Sequence, residues 1–339
     1  MLAYTVINVP YSALMGVISP SSSERTKVST VRFVCAMGAA WIVGTFVTPL
    51  KNILGNGNEI QGFRLTMLLF AVISVALFWI TFATTKERVA PPKEHSNVKS
   101  DFKALFRNGP WIVLFLAAIF NLMSIAIRTG SLLYYFKYYL GDDGSQMFLI
   151  FDKTAIFLSS GTIALIGGIM LTKKLSNLFE KRDIVIFSNI ILSVLYAAFF
   201  FIPSDMYGLM IIINITGAFV FGPTLSLMWA MYADCSDYGE WKTGNRSTAL
   251  IFSTIQFAMK MGLAVGAGAT GIILAKYGFI ANQIQTEESL LGIRIMFTFI
   301  PAALTIAGVI AIYFYKIDRA TIKLMEFDLL KQTDTNSIS

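Results

Sequence analysis

The chain is 339 residues long, with 55% of them hydrophobic and 14% charged, where soluble domains carry roughly 25% charged residues. That deficit excludes a soluble or disordered protein and describes an integral membrane chain, whose net charge of +7 belongs in the connections and requires no nucleic-acid partner. Two widely separated cysteines, Cys35 and Cys235, and a single histidine, His95, in a polar stretch imply neither a disulfide framework nor a metal site. With no H-E-x-x-H, G-x-S-x-G or glycine-rich nucleotide loop in the sequence, nothing points to an enzyme or a bound cofactor.

A helix needs about 20 apolar residues to cross the hydrocarbon core. Nine stretches answer that description, at 1–17, 30–50, 63–84, 111–137, 151–172, 184–203, 207–232, 247–275 and 293–315. The first has no basic start and no small-residue cleavage site, and it carries Asn8 and Pro10 at its centre, so it is not a secretory leader. Its Tyr4, Asn8 and Tyr11 recur at helical spacing and form a hydrogen-bonding stripe expected to face a cavity. Residues 85–110 are the longest polar connection and divide three helices (1–84) from six (111–316), leaving 317–339 as a tail. The fourth stretch opens on Trp111 and closes on Tyr134, Tyr135, Tyr138 and Tyr139, as aromatic belts at the two interfaces require. It also holds Arg128, with Asn121 two turns before it, and both are candidate ligands.

When alternate connections are assigned to opposite sides, one side receives most of the basic residues, including Arg25, Lys27 and Arg32, the linker lysines and arginines, Lys173, Lys174, Lys181 and Arg182, and the tail residues Lys316, Arg319, Lys323 and Lys331. The other side receives only Lys51, Arg64, Lys137, Lys153, Lys276 and Arg294. The first side is therefore expected to be cytoplasmic, together with the C-terminus.

Lys260 lies well inside the eighth stretch, where a lysine costs about 2.5 to 3.5 kcal/mol on insertion scales. Gln256 is four residues earlier on the same face, and Gly262 and Gly266 follow as a small-xxx-small pair. No apolar stretch has Asp or Glu in its interior. The counter-charge of Lys260 is thus expected from a substrate or from a carboxylate on another segment, unless the amine is deprotonated. Two cytoplasmic connections also resemble each other: Ser23-Glu24-Arg25-Thr26-Lys27 before Arg32, and Asp234 through Lys242 before Arg246. Each joins acidic and basic groups at a helix junction, as equivalent loops of a two-fold repeated carrier would. Glu24, Arg25, Asp234, Asp237, Glu240, Lys242 and Arg246 are candidates for salt bridges that break and re-form between conformations.

The runs Asn8-Val9-Pro10-Tyr11-Ser12-Ala13-Leu14, Ser23-Glu24-Arg25-Thr26 with Arg32, and above all Ala233-Asp234-Cys235-Ser236-Asp237-Tyr238-Gly239-Glu240-Trp241-Lys242-Thr243-Gly244-Asn245-Arg246, followed by Phe257-Ala258-Met259-Lys260, resemble the glycoside-pentoside-hexuronide:cation symporters. These form the melibiose-permease-like branch of the major facilitator superfamily. The resemblance implies an all-α polytopic membrane protein of that fold, with the nine stretches matching helices four to twelve of a twelve-helix plan. It further implies a monomeric carrier in the inner membrane of a bacterium, which moves a small sugar or glycoside by alternating access with Na+ or H+ as coupling ion. Tyr4 and Thr5 match residues bordering the sugar and cation sites, Arg32 an arginine near the sugar, and Lys260 a lysine beside the cation site. Tyr4, Asn8 and Arg32 would bind sugar hydroxyls, with Tyr11 and Gln256 on the same faces, and Arg128 would meet a uronate carboxylate. Asn8 stands where the melibiose branch has Asp, which is closer to the pentoside and glucuronide branch, and Ser21 replaces an Asp. The family's cation-binding carboxylates on helix two and its sugar-binding Asp on helix one have no counterpart, so the sequence is expected to lack about three N-terminal helices of a longer reading frame. Two rival readings are a carrier of lysolipids or other amphiphiles and a non-transporting membrane remnant.

Overall fold

The computed structural model describes residues 2–19, 21–56, 58–85, 105–142, 153–243 and 248–338. Most of the linker, with His95, and also Asp152 and Arg246 lie outside the described residues. Within them the secondary structure is helical without strands: α1 (Leu2–Val17), α2 (Ser22–Gly55), α3 (Glu59–Thr84), α4 (Gly109–Tyr134), α5 (Lys153–Leu178), α6 (Lys181–Ala198), α7 (Tyr207–Thr243), α8 (Thr248–Lys276), α9 (Glu287–Phe297), α10 (Phe299–Tyr313) and α11 (Arg319–Ile338). Among the described residues eight helices are long and apolar enough to cross a bilayer, with α9 and α10 counting together as one. The first apolar stretch forms α1, whose 16 residues span only about 24 Å at 1.5 Å per residue.

Local signals place several boundaries. Asn58 accepts from the Gln61 amide at 3.1 Å and Asn108 from the Trp111 amide at 3.2 Å, while Thr286 accepts from Ser289 at 3.2 Å, each satisfying a backbone donor that a helix start leaves open. The tail helix begins at Asp318, which accepts from the Thr321 hydroxyl at 2.7 Å and the Thr321 amide at 2.8 Å. These two bonds hold its carboxyl below the usual carboxylate range, so the cap is in place at neutral pH and is lost as pH falls through that lowered value. The apolar stretch 293–315 breaks at Thr298, which has φ −122° and ψ −79°. Pro301, three residues on, has no N–H to offer the Phe297 carbonyl, and its ring crowds that oxygen.

Neighbouring helices run in opposite directions. At one end meet the starts of α2, α4 and α6 and the ends of α5 and α7, linked by Lys173 to the Ser23 hydroxyl at 2.5 Å and by the Asn108 amide to the Cys235 carbonyl at 2.9 Å. The other end is closed by the Tyr139 hydroxyl on the Ile202 carbonyl at 3.0 Å and the Tyr207 hydroxyl on the Lys153 carbonyl at 2.5 Å. Each end has its own core, around Trp111, Tyr232 and Phe252 at the first and Phe136, Phe157 and Phe297 at the second.

Small residues allow the close approaches. A Cβ on Gly262 would lie 2.6 Å from the Ile119 carbonyl and one on Gly266 would lie 2.7 Å from the Ala126 Cβ, so this pair seats α8 directly against the backbone of α4. Gly266→Leu should therefore lower the melting temperature and the yield of monodisperse protein. Gly268→Leu, at a position where a Cβ meets nothing within 4 Å, should leave both near the unaltered values. Thermal unfolding and size-exclusion profiles of the two variants check this.

Candidate functional site

The most highly charged buried cluster among the described residues joins the first three helices to the following six-helix unit. Arg25, in the first turn of α2, is 1% exposed and donates through Nη2 to Asp234 Oδ1 at 3.1 Å and to Asp237 Oδ2 of α7. Its Nη1 donates to the Ser19 carbonyl at 3.3 Å. Lys181, at the start of α6, reaches Asp234 Oδ2 at 2.6 Å, and the Ser22 hydroxyl donates to Asp234 Oδ1 at 2.6 Å. Asp234 and Asp237 are three residues apart on a helix, hence on one face, and their two negative charges meet two positive ones. Burying ions costs several kcal/mol each, a cost that only close, hydrogen-bonded pairing offsets.

The tail helix straps this cluster. Glu326 of α11 accepts from the Ser22 backbone amide at 2.7 Å, Asp328 accepts from the Trp241 indole at 2.9 Å, and Met325 is buried in the adjoining core. A carboxylate at the start of α2 complements the positive end of that helix.

Two sequence expectations change here. The charged runs read as loops are helix: Arg25 lies within α2, and Asp234 to Lys242 lie within α7. Charge marks the end of a lipid-facing span, whereas a charge paired inside the protein lets the helix continue. Of the expected gate residues, Arg25, Asp234 and Asp237 come together, whereas Glu24 is exposed and accepts from the Ser19 hydroxyl at 2.5 Å. Lys242 lies 4.0 Å from the centre of the Trp241 ring, and Glu240 is half-buried on α7. Lys181, Ser22 and Glu326 were not singled out by the sequence, since each is more than 100 positions from at least one of its partners.

Further along α2 and α7 lies a polar and aromatic seam. Arg32 stacks its guanidinium 4.1 Å from the Trp229 ring centre, 4.9 Å from that of Tyr11 and 5.7 Å from that of Phe33. Gln256 of α8 donates to the Ser12 hydroxyl at 2.9 Å, and Ser12 donates to Asn8 Oδ1 at 3.2 Å, so the α1 stripe is tied to α8 through a serine whose role helical spacing alone does not reveal. Lys260, one turn beyond Gln256, is half-buried and engaged by its surroundings. The side chains of Tyr4 and Thr5 lie outside the described residues.

Asn121 and Arg128 are elsewhere. Asn121 donates to the Ala117 carbonyl of its own helix at 3.0 Å and packs on Gly308 of α10, so it fills an interhelical contact rather than a cavity wall. Arg128 donates to the Phe297 carbonyl at 2.5 Å, the oxygen that Pro301 deprives of its helical donor, and all of its partners belong to α4, α6 and α9 or the turn after α6. Neither joins the seam between α1, α2, α7 and α8.

Spanning helices, a charged contact between two helical units and a polar seam behind it define a multi-pass membrane carrier. The family described as MFS/sugar transport protein matches residues 1–319, and the chain belongs to that family of the major facilitator superfamily: it is a membrane sugar transporter, not an enzyme. It is similar to the inner membrane symporter YicJ of Escherichia coli (strain K12), with 30% identity across 95% of this chain and 69% of that protein. The isoprimeverose transporter of Lactiplantibacillus pentosus is 28% identical across 99% of this chain and 69% of its own. The glucuronide carrier protein homolog of Escherichia coli (strain K12) is 25% identical across 100% and 73%.

Arg25→Ala would leave Asp234 and Asp237 buried with one cation between them. Removing one partner of a buried pair costs about 3 to 5 kcal/mol, so the variant should unfold well below the unaltered protein in a thermal melt. Arg25→Ala combined with Asp237→Asn should recover part of the loss.

Proposed function

We propose that the chain is the translocating body of a cation-coupled symporter that imports a glycoside, pentoside or hexuronide by alternating access, with Na+ or H+ as the coupling ion. The observation that carries this reading is the buried ionic contact of Arg25 and Lys181 with Asp234 and Asp237. A charged lock between two helical bundles is costly to bury and strong when closed, which suits a contact that one conformation makes and the other breaks. The basic excess on the same end supports a cytoplasmic position for this lock, with α11 and the C-terminus, and on that reading the conformation described is the one closed to the cytoplasm. Residues 1–84 and 111–316 are then the two rocking units, joined by the cytoplasmic linker.

Behind the lock, Asn8, Tyr11, Ser12, Arg32, Trp229 and Gln256 supply what a sugar needs: hydroxyl partners, a bidentate cation and flat aromatic faces. Lys260 sets the charge beside the cation site. Coupling follows if each ligand raises the affinity for the other, typically by about 1 to 3 kcal/mol. The names of the relatives, an inner membrane symporter, an isoprimeverose transporter and a glucuronide carrier homolog, support a bacterial inner-membrane setting and a sugar cargo, and the polar seam favours a sugar over an amphiphile.

Native Cys235 reports on the lock, because it is fully buried between Asp234 and Ser236. In a Cys35→Ser background, Arg25→Gln should raise the rate of maleimide labelling at Cys235 by tenfold or more; an unchanged rate would remove the gating role. In uptake assays against a panel of glycosides, pentosides and uronides, Arg32→Gln should weaken sugar binding at least tenfold and Lys260→Ala should abolish cation-dependent uptake. Uptake that kept its full cation dependence in Lys260→Ala would refute the coupling role.

A further inference from the structure

We propose that the six-helix unit holds a binding site for a compact monovalent anion, such as chloride or a small carboxylate, around Arg128 and apart from the sugar path. A cavity of about 220 Å³ lies between α4, α5, α6 and α7. Arg128 lines it while being 8% exposed, within a membrane-spanning helix. One of its donors goes to the Phe297 carbonyl, and its flat faces meet the rings of Tyr196 at 4.0 Å, Phe297 at 4.0 Å and Phe199 at 4.8 Å. Aromatic faces stabilise a cation but carry no net charge, and no described carboxylate lies within ion-pair distance of this guanidinium.

Arginine stays protonated even when buried, so the positive charge persists in a site where an isolated ion is unfavourable. Water could occupy the remaining donors and would leave the charge unneutralised. The lining is suited to a small anion: beside the Tyr196 ring that packs on the guanidinium, Thr129 and Asn214 add polar groups among leucine, isoleucine and phenylalanine side chains. Asn214 is anchored by donating to the Phe157 carbonyl at 2.8 Å. The cavity far exceeds the roughly 10–15 Å³ that a single water needs on the same measure, so it has room for a chloride with part of its hydration or for an acetate, and the apolar walls disfavour a polyol.

Behind Phe297 an aromatic column leads to a second cation. Phe297 stacks on Tyr135 at 4.3 Å, Tyr135 lies 4.9 Å from Tyr139, and Tyr139 is 4.8 Å from the guanidinium of Arg294. Two cations therefore end this aromatic stack, which strengthens the demand for an anion at its accessible end.

The test is the melting temperature of the purified chain in sodium chloride, sodium acetate, sodium gluconate and sodium glucuronate at equal ionic strength. Chloride and acetate should each raise it over gluconate, by on the order of 2 °C for each tenfold increase above half-saturation. Arg128→Gln should lose that increment. Ala218→Phe, which fills the cavity and keeps the Arg128 bond to Phe297, should lose it as well, and it carries the test if Arg128→Gln fails to fold. No anion dependence in the unaltered protein, or the same dependence in Ala218→Phe, overturns the site. Stabilisation by glucuronate that Arg128→Gln abolishes, with none from chloride or acetate, would place Arg128 in the sugar path and would also overturn it as a separate site.

Discussion

The molecule turns on one constraint: a buried guanidinium and a part-buried ammonium held against two buried carboxylates at the junction of two helical units. Such a cluster is tolerable only when every charge has its partner, so it strongly favours complete closure over partial closure. This explains why so many short elements converge on it. Ser22 bridges Lys181 and Asp234, Glu326 of the tail helix meets the start of α2, and Asn108 ties the start of α4 to the Cys235 carbonyl.

The same helices carry the contacts assigned to the sugar. Arg25 and Arg32 are seven residues apart on α2, two turns along one face and about 10 Å, while α7 carries both Trp229 and the pair Asp234 and Asp237. A rigid rotation of α2 against α7 that opens the lock must therefore change the packing of Arg32 on Trp229 as well. On this geometry the ionic cluster and the packing of Arg32 on Trp229 are two levels of one interface, so a displacement at one level reaches the other without a long relay through the protein. The link from Asn8 through Ser12 to Gln256 gives α1 and α8 a second polar connection between the same two units.

Arginine plays three distinct parts here, decided by surroundings. Arg25 faces carboxylates and locks; Arg32 lies between aromatic rings at the seam; Arg128 and Arg294 end an aromatic column and cap the Phe297 and Phe200 carbonyls. The Arg128 case joins backbone and charge directly, because the proline that breaks the helix after α9 creates the acceptor that the guanidinium fills.

Much of this was legible in the residues themselves. Spanning stretches follow from hydrophobic length, because the bilayer imposes one thickness on every helix; Gly262 and Gly266 follow from spacing, because side-chain direction on a helix is periodic; and the run from Ala233 to Arg246 already indicated the family. Tertiary structure alone decided which charges meet. Lys181 and Glu326 bear on Ser22 from 159 and 304 positions away, and no local rule connects them. It also decided that Asp234 to Lys242 stay helical and that Arg128 belongs to a pocket between α4, α5, α6 and α7 rather than to the seam. Periodicity specifies the face a side chain takes on its own helix, whereas the identity of the opposing helix is set by packing across the whole fold.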